Sequence, residues 1–291
     1  MKNQTKKLVL FVVFLIGFQC LMAQEADTAA IPENPFVEET FRTFYLVNGQ
    51  SAEPIWKNDL LFVVSHRFHG TIDQGIETLF GLDQFADLRL GFGYGVTDDL
   101  TLGFGRTRSD KTYDLFAKYR ILRQRKVGMP ITLTIFGSAA AEAIPWSAEQ
   151  KAALEFKHRL SYVAQALIAS KINKYLSVQL MPTVVHRNLT EELQEENTSY
   201  ALGAAARFRF TDGIALVGEY YQRLNAKNLS NQQLYNAFGI SLDFTSVRHA
   251  FQLQFSNSKN ILEQATLPGV NDKFGKGGIH FGFHVVRRFG L

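Results

Sequence analysis

Apolar residues recur at every second position through segment after segment of this chain. Leu100-Thr101-Leu102-Gly103-Phe104-Gly105 and Ile131-Thr132-Leu133-Thr134-Ile135 are two clear cases. A period of two belongs to extended backbone, whose successive side chains point to opposite faces. A strand with one greasy face and one polar or glycine face suits a wall between oil and water. A soluble β-sandwich produces the same alternation by turning its apolar face to a core. The tie is broken by long basic residues on the polar face, by aromatic residues at strand ends and by the two ends of the chain. With 25 phenylalanines and ten tyrosines the chain has enough rings for aromatic girdles.

The N-terminus reads as a secretion signal over 1–23. Lys2, Lys6 and Lys7 precede an apolar run from Leu8 to Phe18, and Leu21-Met22-Ala23 offers a cut ahead of Gln24. The run is short for an uncleaved anchor. Gly17-Phe18-Gln19 before Cys20 makes a poor lipobox, so lipidation is the minor alternative. Cys20 is the only cysteine, which leaves the mature chain without disulfides, thiolate nucleophiles or cysteine metal sites. Removing the three signal lysines takes the formal net charge from +4 to +1, so the basic balance implies no nucleic-acid partner. Residues 24–58 are polar and broken by Pro32, Pro35 and Pro54. They read as a periplasmic tail, or as a plug tucked into the barrel mouth. Asp27-Thr28-Ala29 resembles a Bacteroidota O-glycosylation motif.

Residues 59–291 are expected to form an all-β, transmembrane, antiparallel up-and-down β-barrel of about twelve strands. The pattern places strands at 60–69, 85–96, 100–108, 111–123, 130–140, 156–171, 175–187, 198–210, 214–225, 233–245, 247–257 and 279–289. Turn-forming residues at Thr97-Asp98-Asp99, Ile172-Asn173-Lys174, Thr211-Asp212-Gly213 and Thr245-Ser246 alternate with long loops at 70–84, 141–155, 188–197 and 258–278. Such alternation puts the short turns and both termini in the periplasm of a Gram-negative cell and the long loops outside. Pro182, on the apolar face of a strand in a sheet with no free edge, predicts a bulge. Lys276, Gly278, Phe281 and Phe283 fit the loose terminal-strand signal read by barrel-assembly machinery, with Phe289 near the end.

Asn48-Gly49-Gln50-Ser51-Ala52-Glu53, Ser65-His66-Arg67-Phe68, Leu79-Phe80-Gly81-Leu82-Asp83, Tyr94-Gly95-Val96-Thr97-Asp98, Gly105-Arg106 and Lys111-Thr112-Tyr113-Asp114 follow one another in that order. In this order the chain resembles an uncharacterised Bacteroidota outer-membrane β-barrel family, classed as a domain of unknown function. The resemblance is strongest over 41–124 and is diffuse beyond. Phe44-Tyr45-Leu46, where the family tends to carry a Thr-Arg pair, and His69, where it has glycine, depart from it. The resemblance implies fold and outer-membrane location, and no activity.

Parity points Arg67, Arg89, Asp114, Lys118, Arg120, Arg159, Arg207, Arg209, Glu219, Arg223, Asp243, Arg248 and Arg288 into the lumen. A net basic bore favours anionic solutes. Alternatively, the arginines pair with acids of loop 70–84 and of the N-terminal segment, closing the barrel; Asp83 is then the first partner for Arg67 or Arg89. Gly91, Gly93, Gly95, Gly103 and Gly105 share the inward face and leave a patch without side chains. Loop 70–84, carrying Phe80, Gly81, Leu82 and Asp83, is expected to fold against this patch as a constriction; plain wall curvature is the other reading. His69 and His280 near the outer rim are a metal or haem pair only if they converge, and scattered polar histidines are favoured over a site. No G-x-S-x-G, H-E-x-x-H or usable cysteine is present, so no cofactor is expected and the chain reads as a non-enzyme. The leading expectation is a narrow, gated pore for small solutes, embedded in outer-membrane lipid. The alternatives are a closed barrel docking periplasmic redox or envelope proteins through 24–58 and, least favoured, a lipid-modifying enzyme.

Overall fold

A computed structural model describes residues 34–190, 196–225 and 233–290. The signal segment 1–23, Cys20 and Asp27-Thr28-Ala29 lie outside the described residues. Twelve strands follow one another along the chain: β1 (Asp59–Phe68), β2 (Ala86–Gly95), β3 (Leu100–Thr107), β4 (Tyr113–Leu122), β5 (Thr132–Ala141), β6 (Leu160–Lys171), β7 (Leu176–Arg187), β8 (Thr198–Arg209), β9 (Ile214–Arg223), β10 (Phe238–Thr245), β11 (His249–Ser256) and β12 (His280–Gly290). Each pairs antiparallel with its neighbours in sequence, and β1 pairs with β12 from Asp59↔Gly290 to Arg67↔Gly282, closing an up-and-down barrel. Closure satisfies every strand edge, which a wall in hydrocarbon requires.

The alternation fixes which face meets lipid. Leu90, Tyr94, Leu102, Phe104, Leu115, Tyr119, Tyr200, Phe208, Phe251 and Phe255 are exposed on the outside. Ser65, Arg67, Arg89, Thr101, Lys118, Thr134, Gln165, Gln179, Gln252 and Gln254 are buried inside. His66 lies on the outer face, its ring stacked on Phe283 at 4.9 Å. The turns at 96–99, 172–175, 210–213 and 246–248 close the termini-bearing end, where the described chain starts and finishes, at residues 34 and 290. Thr97 Oγ1 accepts from the Leu100 amide at 2.9 Å and Asn173 Oδ1 from the Leu176 amide at 2.9 Å, so short polar side chains replace ladder partners there. The longer connections at 69–85, 142–159 and 257–279 lie at the opposite end.

Two expectations about the wall need correction. Residues 156–159 form a 3-10 turn before β6 rather than its first residues, and the chain before Phe238 is irregular. Pro182 makes no bulge: β6 and β7 keep one register from Gln165↔Thr183 to Ile168↔Leu180, and the ladder skips the pairs between, where proline has no N–H to donate. The register shift in the wall falls between Arg120 and Leu122 on β4.

Candidate functional site

The lumen is occupied by the chain itself. Residues 34–58 enter at the termini-bearing end, where Phe36 bridges Arg125, and run into the barrel. The segment turns back through a tight hairpin, with the Leu46 amide on Gly49 O at 2.9 Å and the Ser51 amide on Phe44 O at 3.1 Å. It then returns to the same end, where the Asn58 amide donates to Gly95 O at 2.8 Å and β1 begins. Phe41, Leu46 and Ile55 are buried almost completely, each removing about 1.5–3 kcal/mol worth of apolar surface from water.

A hairpin inside a barrel cannot join the wall's ladders, so its backbone groups need other partners. Wall side chains supply them. Lys118 Nζ donates to Ser51 O at 2.9 Å, Phe44 O at 3.2 Å and Glu53 O at 3.3 Å, and lies 3.4 Å from the Phe44 ring centre. Arg67 donates to Val47 O at 3.0 Å and Asn48 Oδ1 at 3.2 Å. Glu219 Oε2 accepts from the Val47 and Asn48 amides at 2.7 and 2.9 Å. Gln179 takes the Ala52 amide and donates to Gln50 O, while Thr134 donates to Ala52 O and Thr101 accepts the Ile55 amide. Gln252 and Gln254 donate to Tyr45 O and Leu46 O at 3.2 Å.

A second insertion comes from the opposite end. The connection 257–270 carries a short helix, Glu263–Thr266, whose Glu263 and Thr266 are buried. Gln50 Nε2 donates to Glu263 Oε1 at 2.7 Å, so hairpin and loop meet inside the barrel. Burial pushes the Glu263 carboxyl above its ordinary value, against the Gln50 hydrogen bond. Arg67 joins the two insertions, donating also to Ser258 O at 2.8 Å and to Gln254 Oε1 at 3.0 Å. Arg223 tethers the loop from the rim through Pro268 O at 2.9 Å.

Toward the termini the hairpin leaves a chamber of about 790 Å³. Seven cationic side chains line it, among them Arg42, Arg207, Arg209, Arg248 and Arg288, against the acids Glu38, Glu39 and Asp212. Arg209 is paired with Asp212 at 3.1 Å and Lys171 with Glu38 at 3.7 Å. Burial, seconded by Glu53, raises the Glu39 carboxyl above its ordinary value despite the pull of Arg288, Arg42 and Arg207.

The structure places the sequence candidates in distinct groups. Arg67, Arg89, Asp114, Lys118, Arg207, Glu219 and Asp243 are buried inside. Arg120, Arg209 and Arg288 sit half-buried at the termini-bearing rim and Arg223 at the other. Arg248 lies in the exposed turn 246–248 at the chamber mouth rather than in the wall. Arg159 is not a lumen residue: it belongs to the 3-10 turn above the wall, donates to Glu142 O and Ile144 O, and stacks 3.7 Å over Trp146. Asp83 does not pair with Arg67 or Arg89. It is exposed, while Arg89 forms a two-pronged bond with Asp114 at 2.6 and 3.0 Å, and Arg67 has no carboxylate partner within ion-pair distance among the described residues.

The constriction also comes from elsewhere than expected. Phe80 is exposed and Asp83 stands on the rim, with loop 70–84 folded on itself and on Ile279 through the Ile72 amide. The glycine patch instead admits the returning hairpin. A Cβ at Gly95 would collide with the Trp56 carbonyl, and one at Gly93 with Ile55. His280 turns its ring nitrogens to Gly70 O and Asp272, each at 3.1 Å. Among the described residues no three His, Cys, Asp or Glu converge as metal ligands. Sequence reasoning missed Gln179, Thr101 and Thr134, which strand parity alone could have assigned inward. It also missed Glu263, whose loop has no period to read.

Residues 41–289 match the family model described as a membrane-bound β-barrel domain, DUF5777. No curated protein matches the chain. Among solved structures, the COG4313 outer membrane channel from Pseudomonas putida F1 is 16% identical, with a TM-score of 0.50 over 82% of this chain and 98% of that one. The NanC porin is 9% identical, with a TM-score of 0.48 over 80% of this chain and 100% of that one. The KdgM porin in complex with disordered oligogalacturonate is 10% identical, with a TM-score of 0.48 over 79% and 99%. At such identities the first of these likenesses is one of fold, and the other two add no argument to it.

Proposed function

Because the chain belongs to the DUF5777 family of membrane-bound β-barrel domains, we propose that it is an outer-membrane pore for small anionic solutes, closed at rest by its own hairpin 40–56. The observation that carries this reading is how the hairpin is held. Its backbone rests on wall side chains by hydrogen bonds, and its one covalent tie to the wall is the junction with β1. Withdrawal toward the termini-bearing end uncovers a polar bore. There Arg67, Lys118 and Arg207 have no carboxylate within ion-pair distance among the described residues, whereas Arg89 stays neutralised by Asp114. The buried wall balances Arg67, Arg89, Lys118 and Arg207 against Asp87, Asp114, Glu219 and Asp243. The excess of fixed positive charge therefore lies at the termini-bearing rim, where Arg123, Lys171, Arg209, Arg248 and Arg288 face Asp212, and at the mouth of a narrow passage it favours anions. In this reading the short turns and both termini face the periplasm, and the last strand serves assembly into the outer membrane. Catalysis has no part in it.

A second reading is favoured by the same hydrogen bonds taken as permanent: a closed barrel that offers its N-terminal segment to a periplasmic partner. Planar-bilayer recordings separate the two. The intact mature chain is expected to conduct rarely, and a variant lacking 24–56 to conduct persistently with anion selectivity. A truncated variant that keeps its heat-modifiable gel mobility yet never conducts would leave the closed barrel standing. Cation selectivity would remove the anionic part of the proposal.

A further inference from the structure

Closing the barrel does not require the chamber beside the hairpin, yet about 790 Å³ is left unfilled there. Sites for organic ligands span about 300–1,000 Å³. Arg207, on β8, is 5% exposed, and its Nε and Nη2 are buried with no hydrogen-bond partner among the described residues. Arg288, on β12, likewise leaves Nη1 buried and unpartnered, although its Nε lies 3.8 Å from Asp59 Oδ2. A buried guanidinium with idle donors is costly unless an anion completes it. The Arg288 guanidinium lies 4.0 Å from the centre of the Trp56 ring, within cation–π range. Leu61, Ala250 and Val286 give the same chamber an apolar side.

We propose that this chamber is a binding site for an organic polyanion, whose carboxylate or phosphate groups are taken up by Arg207 and by Arg288 and whose body lies against Trp56 and the apolar side. Bidentate donors suit either oxyanion. The site is reached from the termini-bearing end while the hairpin is docked. The inference deepens the anionic-solute reading but rests on the closed structure alone, so it holds or fails without any conductance.

The chain contains two tryptophans, Trp56 and Trp146. In the full mature chain carrying W146F, emission therefore reports on the chamber alone. Detergent-solubilised protein is titrated with benzenetricarboxylate, citrate, inorganic phosphate and the neutral benzenetricarboxamide, with calorimetry on the same samples. Saturable binding of benzenetricarboxylate and citrate is expected, with none of the amide. Arg207→Gln and Arg288→Gln should each weaken it by about tenfold to a hundredfold, the weight of a charge-assisted hydrogen bond. Gel mobility checks folding, and should Arg207→Gln fail to fold, Arg288→Gln carries the test. No saturable signal by either method, or binding indifferent to the folded arginine variant, would overturn the proposal. Phosphate binding as tightly as the organic anions would overturn the organic body.

Discussion

Arg67→Met cuts a side chain that holds hairpin, loop and wall together. The guanidinium is 1% exposed and donates to Val47 O, Asn48 Oδ1, Ser258 O and Gln254 Oε1. Methionine fills similar space and donates nothing. Two backbone carbonyls, of Val47 and Ser258, then lose a buried donor, at about 1–3 kcal/mol each. Against this, docking no longer strips water from a guanidinium that lacks a carboxylate partner, which returns part of the loss. The balance is about 3 kcal/mol, roughly a hundredfold in the ratio of docked to undocked hairpin. Amide hydrogen exchange reads that ratio directly, because the Val47, Asn48, Ala52 and Ile55 amides are tied to wall side chains rather than to a ladder. Peptides covering 44–56 should exchange roughly a hundredfold faster in the variant, with the strands unchanged. If a folded Arg67→Met barrel exchanges over 44–56 within about threefold of the parent, the clamp argument is wrong.

Lys118→Met should likewise loosen the hairpin at Phe44, Ser51 and Glu53, read as faster exchange over those residues. Gly95→Val should lose about 2–3 kcal/mol of barrel stability, because the Trp56 carbonyl cannot yield; the urea midpoint of the gel-mobility shift measures it. Phe80→Ala should leave exchange over 44–56 unchanged, since loop 70–84 stays outside the lumen. The Glu263 carboxyl is raised in the docked loop, so the docked state binds its proton more readily than the released one. Loop docking is therefore strongest below the ordinary carboxylate range and weakens as pH rises through it toward the raised value. Exchange over 258–268 should be slowest at acidic pH, and Glu263→Gln should flatten that slope.

The wall was legible because its physics is periodic. Leu88, Leu90, Phe92 and Tyr94 had to share one face and Arg89 the other, whatever filled the lumen, and that parity placed Arg67, Lys118, Arg207 and Glu219 inward. Periodicity stops at the rims. Arg159 follows the apparent alternation of 156–171, yet its backbone has already left the ladder, and Arg248 sits in a turn whose neighbours alternate as a strand would. Segment 24–58 reads as a tail or a plug and loop 70–84 as a constriction, and the choice between them was not legible for a different reason. Loop 70–84 and segment 34–58 both carry apolar residues at irregular spacing. What selects the second is a set of backbone amides and carbonyls matched to Gln179, Thr101, Thr134 and Lys118, and backbone groups leave no trace in composition.

The choice of acceptor for the buried cations bears on what an open barrel would be. Arg89 meets a carboxylate, Asp114, and that pair is neutral whether or not anything sits in the lumen. Arg67 and Lys118 meet carbonyls and amides instead, most of them on the two inserted segments. Such acceptors balance the hydrogen-bonding capacity of a cation without cancelling its charge. When the hairpin leaves, the donors freed from it turn to water while Arg67 keeps Ser258 O and Gln254 Oε1, and the charges face the bore, screened only over about 8–10 Å at physiological salt. Had each met a carboxylate as Arg89 does, its donors would have been drawn away from the hairpin and its own charge cancelled. On the pore reading, then, Arg67 and Lys118 help to close the barrel and also add positive charge to the open bore. Arg67→Met should therefore raise the open probability while lowering the anion selectivity of each opening, a combination that loosening the plug elsewhere, for instance with Gln179→Ala, should not produce.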